Sequence, residues 1–384
     1  MKILRAVPSM DPKAGGVAEA AKQSAILLSS SGIEIEVVCF DNQDAVWLKE
    51  FDFPVYAIGK GVSAYALHAI YLKWLKKHVK NYDLVVIDGL WQFHVVGGYI
   101  CKLMHIPYVV YTHGMLDPYF NLNRLKYFKK LPFWFLVERN ILSMAEAVVF
   151  TCEEEKNLAQ NSFPFFRGKN AIATLGIEPN PKDPEVLSKK FCQAFPHLEG
   201  KRFGLFLSRI HVKKGLELLI DAVAQKREII PESFVFVIAG TGDQGYIGKL
   251  KERISKLEID QYFEWVGMLT GDMKWGAFAA SDFFILPSHQ ENFGIVVAEA
   301  LSQSRPVLIT NKVNIWREII QFDAGLVGND DIADIGKMLK DYFGRTDDEL
   351  TAMSKNAFEC FHEKFSTKAF RQDFLKLLKS LERK

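Results

Sequence analysis

The sequence predicts two doubly wound α/β domains, each a parallel sheet with helices on both faces. Three observations carry that prediction. Short runs rich in Val, Ile and Phe recur along the chain, nearly continuous in hydrophobicity, as strands covered on both faces should be. Amphipathic segments separate several of them, and parallel neighbours need such crossovers. The alternation also runs in two series, and a chain of 384 residues has the length for two domains.

The first series of strand-like runs is Lys2 to Val7, Ile33 to Phe40, Asp83 to Leu90, Pro107 to Thr112 and Ala147 to Cys152. Val17 to Ser30 and Ala64 to Lys80 have the spacing of helices between them. Gly176, Pro179, Pro181 and Pro184 then break the periodicity, which places a boundary near residue 178. The second series is Phe203 to Arg209, Phe234 to Gly240, Phe263 to Gly267, Asp282 to Pro287 and Pro306 to Thr310. The expected domains are therefore 1–178 and 179–366. A final helix over 367–384 carries Phe370, Phe374, Leu377, Leu378 and Leu381 on one stripe.

Composition narrows the classes. A formal net charge of +2 gives no bulk attraction to nucleic acid, which is not an expected partner. No apolar run approaches the roughly 20 residues of a spanning helix, and the N-terminus reads as a strand rather than a signal peptide. Five scattered cysteines without a C-x-x-C pair fit small buried residues in a reducing cytoplasm, the expected compartment.

In such sheets ligands bind beyond the carboxyl ends of the strands, so the strand-to-helix loops hold the informative residues. The segment Pro287 to Ala300 leaves one strand and opens a helix. Glu291 and Glu299 lie eight positions apart, bracketing amides of Asn292, Phe293, Gly294 and Ile295. Amides at a helix start suit a pyrophosphate, and Gly294 permits close backbone approach. The carboxylates, being acceptors, suit sugar hydroxyls. Upstream, Arg209 and Lys214 follow the first strand of the second series and precede a helix, two cations at the carboxyl end of a strand. In the first domain, Gly15-Gly16-Val17 opens a helix after a strand, and His113-Gly114 follows the strand ending at Thr112.

These segments resemble the E-x7-E and R-x4-K-G motifs of the retaining family 4 glycosyltransferases, also called group 1; with the Gly15-Gly16 and His113-Gly114 loops the resemblance covers both domains, from about residue 8 to about residue 300. That resemblance implies the GT-B fold, two Rossmann-like domains facing across a cleft, with acceptor on the first and nucleotide-sugar on the second. It assigns Glu291 and His113 to the donor sugar, Arg209 and Lys214 to the diphosphate, and the amides of Asn292 to Ile295 to phosphate and sugar hydroxyls. Glu299 would bind ribose, Gly16 would line the site, and Gly240, Gly267 and Met268 would lie near the nucleotide. The catalytic set so implied is His113, Glu291, Arg209 and Lys214. Family usage favours UDP, with glucose as the sugar and a saccharide or lipid-linked saccharide of polysaccharide assembly as acceptor. No D-x-D occurs, so neither a metal nor any other cofactor is expected.

Competing readings remain open on the residues. Gly240-Thr241-Gly242-Asp243-Gln244-Gly245 fits the dinucleotide fingerprint of an NAD-dependent oxidoreductase, with Glu258 and Asp260 about 20 residues on. A non-catalytic nucleotide-sugar-binding protein and a sugar-nucleotide epimerase on the same scaffold are the others. Residues 121–135 carry Arg124, Lys126, Lys129 and Lys130 with no acid; Leu125, Phe128 and Leu131 fall on one helical side, and Lys126, Lys129 and Lys130 on another. Pro132 should end or kink that helix. This is either a helix packed on its own domain or a peripheral contact with the cytoplasmic membrane face.

Overall fold

The computed structural model describes residues 1–29 and 31–382. The chain divides into two compact units, Met1–Gly176 with Thr367–Lys384, and Ile177–Ser366. Of the expected helices, the end of the first at Ser30 and the last two residues of the final one lie outside the described residues.

The first unit holds seven strands: β1 (Lys2–Ala6), β2 (Glu34–Cys39), β3 (Val55–Ala57), β4 (Leu84–Asp88), β5 (Tyr108–Tyr111), β6 (Ala147–Phe150) and β7 (Asn170–Ile172). They pair in the order β3-β2-β1-β4-β5-β6-β7, every pair parallel. β4, β5 and β6 are buried throughout, which explains why they read as apolar runs, with Asp88 the one charge among them at the end of β4. The helix Thr367–Glu382 sends Phe370, Phe374, Leu377 and Leu378 into one core with Ile3, Leu28, Ile35 and Val86.

The second unit holds six: β8 (Phe203–Leu207), β9 (Val235–Ala239), β10 (Phe263–Gly267), β11 (Phe283–Leu286), β12 (Val307–Thr310) and β13 (Gly325–Gly328). Their order is β10-β9-β8-β11-β12-β13, again all parallel. Each sheet is thus wound outward in two directions from one central pair, β1 beside β4 in one and β8 beside β11 in the other. Crevices for ligands open at such switch points.

One expectation needs correction. The helix predicted over Ala64 to Lys80 runs only Ala69–His78. Val62 and Leu67 form an antiparallel bridge with Ser63 and Ala66 left-handed, and the His68 ring then accepts from the Tyr71 amide as the N-cap. Pro132 marks a break as expected: the α-helix Arg124–Phe133 ends one residue beyond it. Proline cannot donate to a carbonyl one turn back, and the chain widens directly afterwards into a π-helical turn, Trp134–Glu138.

Candidate functional site

The two loops at the β8/β11 switch point are tied together by backbone. The His289 amide donates to the Lys213 carbonyl at 2.8 Å, and Lys213 Nζ reaches Gln290 Oε1 at 2.6 Å. Gly215 is left-handed at φ 63, and a Cβ there would meet the Pro287 carbonyl oxygen at 1.9 Å. Only glycine lets the loops approach this closely. On the other side, the Glu291 amide donates to the Lys312 carbonyl at 2.8 Å and its carbonyl accepts from the Asn314 amide at 3.1 Å.

That bracing fixes the side chains. Lys214 Nζ forms an ion pair with Glu291 Oε2, and both are mostly buried. An ammonium has three donors, so Lys214 can serve Glu291 and a phosphate oxygen together. Gly294 caps the helix Ile295–Ser302 in a left-handed conformation at φ 71. The amides of Phe293, Gly294 and Ile295 find no protein acceptor among the described residues. They face outward from a helix start, where partial positive charge collects. The Phe293 ring points inward and meets Phe365 edge-on, so only its backbone can meet a ligand.

Glu299 lies one turn into that helix, 8% exposed, and accepts from Lys274 Nζ at 2.6 Å. Arg209 leaves the end of β8, exposed, with no ion-pair partner among the described residues. The structure therefore brings Lys214 to Glu291 directly and sets Arg209 and Glu299 on the same carboxyl edge of the sheet. Gly240, left-handed at φ 146, donates to the Gly267 carbonyl at 2.7 Å, and Met268 beyond it is 67% exposed.

The dinucleotide reading fails on geometry. A Cβ at Gly240 would meet the Ser208 carbonyl oxygen at 1.8 Å, and one at Gly242 the Ile210 carbonyl oxygen at 2.0 Å. Both glycines admit the protein's own 208–210 segment, which Ile210 and Gly242 bridge, rather than a pyrophosphate. Glu258 and Asp260 precede β10, at the edge of the sheet opposite the loops.

In the first unit, His113 follows β5 and its Nε2 lies 2.8 Å from Asp88 Oδ1. Asp88 ends β4 and takes Arg5 of β1 through Nε at 2.9 Å and Nη2 at 2.5 Å. Gly16 is the first residue of the helix Gly16–Ser29, and nothing in the protein crowds it or Gly15. The basic segment divides differently from expectation. Leu125, Phe128 and Leu136 are 76%, 62% and 72% exposed, whereas Leu131 packs on the core. Lys130 does not share a solvated face with Lys126 and Lys129 but lies over the Trp91 ring at 4.5 Å. Sequence reasoning missed Lys274, Asn314, Asp88 and Arg5. Asp88 and Arg5 did leave a signal: Asp88 is the one charge in β4, and Arg5, opposite in sign, sits inside the apolar run of β1.

Comparison with known proteins places this geometry. Residues 14–180 match Glycosyltransferase Family 4 and residues 188–359 match Glycosyl transferases group 1. An uncharacterized glycosyltransferase of Methanocaldococcus jannaschii is 24% identical over 81% of this chain and 80% of its own length. The alpha-monoglucosyldiacylglycerol synthase of Streptococcus pneumoniae is also 24% identical, over 74% of this chain and 65% of its own, just under two thirds. Among solved structures, Anabaena HepE in complex with UDP and glucose superposes with a TM-score of 0.75 at 19% identity, covering 99% and 100% of the two chains. Sucrose-phosphate synthase of Thermosynechococcus elongatus gives 0.75 at 16% identity, covering 100% and 99%. The fold and the motif loops define a GT-B enzyme that transfers sugar from a nucleotide-sugar. The chain belongs to glycosyltransferase family 4, the group 1 glycosyl transferases.

Proposed function

We propose that this glycosyltransferase retains the donor's anomeric configuration and moves glucose from UDP-glucose to a saccharide or lipid-linked saccharide, without a metal ion. The observation that carries the reading is the Lys214–Glu291 pair beside the amides of Phe293 to Ile295 at the switch point of the second sheet. HepE has been solved with UDP-glucose, and the pneumococcal relative is named a monoglucosyldiacylglycerol synthase, which favours this donor and a lipid-linked acceptor.

In this reading the second unit takes the donor and the first unit the acceptor. Arg209 and Lys214 receive the diphosphate, the amides of Asn292 to Ile295 its oxygens and the sugar hydroxyls, Glu291 the sugar and Glu299 the ribose. Gly240, Gly267 and Met268 flank the nucleoside, while Gly16 and His113 mark the ligand-facing loops of the first unit. The bond from the anomeric carbon to phosphate breaks as the acceptor oxygen bonds to the same face. The acceptor's proton passes to a phosphate oxygen, and UDP leaves. Arg209 and Lys214 supply the positive charge that a divalent ion would otherwise bring, so the protein contributes mainly position and electrostatics.

Thermal unfolding with UDP, GDP, ADP and UDP-glucose tests the donor, because a ligand of the folded state raises its stability by mass action. UDP and UDP-glucose should raise the midpoint, with EDTA making no difference. A response to GDP or ADP alone, or an obligate manganese requirement, would overturn this assignment.

The outward Leu125, Phe128 and Leu136, with Arg124, Lys126 and Lys129 among them, support a second element: contact with an anionic membrane surface. No helix among the described residues is long and apolar enough to cross a membrane. The protein should sediment with vesicles containing anionic phospholipid at low salt and release as salt rises. L125D/F128D should abolish sedimentation; indifference of the wild type to such vesicles would remove the contact.

A further inference from the structure

In the second unit, His289 stands between the loops of the switch point with a carboxylate on each side of its ring. Nδ1 lies 3.0 Å from Asp330 Oδ2 and Nε2 lies 3.3 Å from Glu217 Oε1. Asp330 follows β13, and Glu217 is in the first turn of the helix Leu216–Lys226, just beyond Lys214 and Gly215. An ionised carboxylate only accepts, so both bonds exist together only while both ring nitrogens carry hydrogen. When one hydrogen leaves, a nitrogen lone pair faces a carboxylate oxygen and that bond is lost.

Both partners lead to the Lys214–Glu291 pair. On one side the His289 amide donates to the Lys213 carbonyl at 2.8 Å while the ring holds Glu217, so Lys214 lies between two points fixed by one residue. On the other side Lys312 Nζ lies 3.8 Å from Asp330 Oδ1, and the Lys312 carbonyl takes the Glu291 amide at 2.8 Å. Further titratable groups border the cluster. Lys213 Nζ goes to Gln290, the Tyr246 hydroxyl donates to Glu217 Oε2 at 2.7 Å, and Arg253, paired with Asp221, is within electrostatic reach of Glu217. The ring is 26% exposed and its two carboxylates 27% and 30%, so as an ion-pair cluster it adds little to stability. What it can set is position.

We propose that His289 is a positioning residue for sugar transfer: with hydrogen on both ring nitrogens it holds the two loops at the spacing that pairs Lys214 with Glu291, and turnover falls when one hydrogen leaves. Imidazole is the side chain whose charge ordinarily changes near neutral pH, which makes the site responsive to pH as well as to its ligands. The assignment rests on the catalytic reading of the Lys214–Glu291 pair.

The test compares two curves against pH. One is kcat at saturating UDP-glucose, read as UDP released with water as the acceptor. The other is the titration of the His289 ring in a nitrogen spectrum of the full chain with labelled histidine, its resonance identified by its loss in His289→Gln. As pH rises, kcat should fall about tenfold, centred where the ring titrates, with little change in donor KM. Glu217→Gln and Asp330→Asn each remove a charge that favours the imidazolium, so ring and kcat should move together to lower pH. His289→Gln should show no such step and run near the wild type's high-pH turnover. A wild-type kcat flat across the ring's titration would overturn the proposal. So would a step that persists in His289→Gln or fails to follow the ring in Glu217→Gln. Should His289→Gln not fold, the joint shift in the two carboxylate variants identifies the ring and decides the matter. The underlying reading fails separately: Glu291→Ala at wild-type turnover removes the catalytic pair, whereas a crippled Glu291→Ala beside a pH-flat wild type removes only the role of His289. If the wild type releases no UDP from UDP-glucose at any pH, the donor assignment fails, and the profile is taken with the nucleotide-sugar that raises the thermal midpoint.

Discussion

Glu291→Ala is expected to lower kcat at saturating donor by on the order of a hundred- to a thousand-fold, the range seen when a preorganised group aimed at developing charge is removed. The carboxylate sits beside Lys214 on a loop braced through Lys213, Lys312 and Asn314, so its position is set before any substrate arrives. Loss of Glu291 also leaves Lys214 without its counterion and free to change position. Stability should fall as well, because Lys214 is left as a mostly buried charge without its counterion, a loss that costs about 3–5 kcal/mol where the pair is fully buried. The thermal shift given by UDP should persist, since the diphosphate is assigned to Arg209, Lys214 and the loop amides. Wild-type turnover in Glu291→Ala would refute the catalytic role.

The second large effect is on stability. Glu138, at the end of the π-helical turn, is fully buried and accepts from the Trp91 amide at 3.0 Å. Its other oxygen is buried without a hydrogen-bond partner. Burial pushes this carboxyl from 4.5 up to about 8, with the Trp91 amide and then Lys130 pulling weakly the other way. The folded protein thus holds a proton that the unfolded chain has released, and the stability so gained is full below about pH 4.5 and lost as pH rises through about 8. Buried His94, pushed down to about 4, works the other way, costing stability as pH falls below 6.5. The Glu138 signature is therefore cleanest between pH 6.5 and 8, where wild-type stability should fall by about 1.4 kcal/mol per pH unit. Glu138→Gln keeps an acceptor for Trp91 and carries no charge, so it should remove most of that slope and unfold at higher temperature than wild type at pH 8. Equal slopes in the two proteins, read from thermal midpoints across the window, would refute it.

The strands legible in the sequence are those buried on both faces. β11, and β4 up to Asp88, read as apolar runs because helices cover both faces of the sheet. β3, β7 and β13 were not legible. They are short, three or four residues, and lack a fully buried run. Glu291 and Lys214 could be found because each sits in a local pattern whose chemistry is complete within ten residues. Asp88 and His113 are 25 residues apart and Asp88 and Arg5 are 83 apart, so only the pairing of β4 with β5 on one side and β1 on the other brings them together. Lys130 was misread for a similar reason. Helical spacing put it with its neighbouring lysines, and the Trp91 ring that claims it comes from another part of the chain.

At position 215 a single hydrogen atom, in place of a methyl, sets the gap across which Lys214 and Glu291 meet. Even the smallest side chain would wedge the two turns apart and strain a left-handed residue besides. The alignment of cation and carboxylate is thus a steric consequence of missing bulk, and no repacking of the groups around it could restore the spacing once that bulk was added.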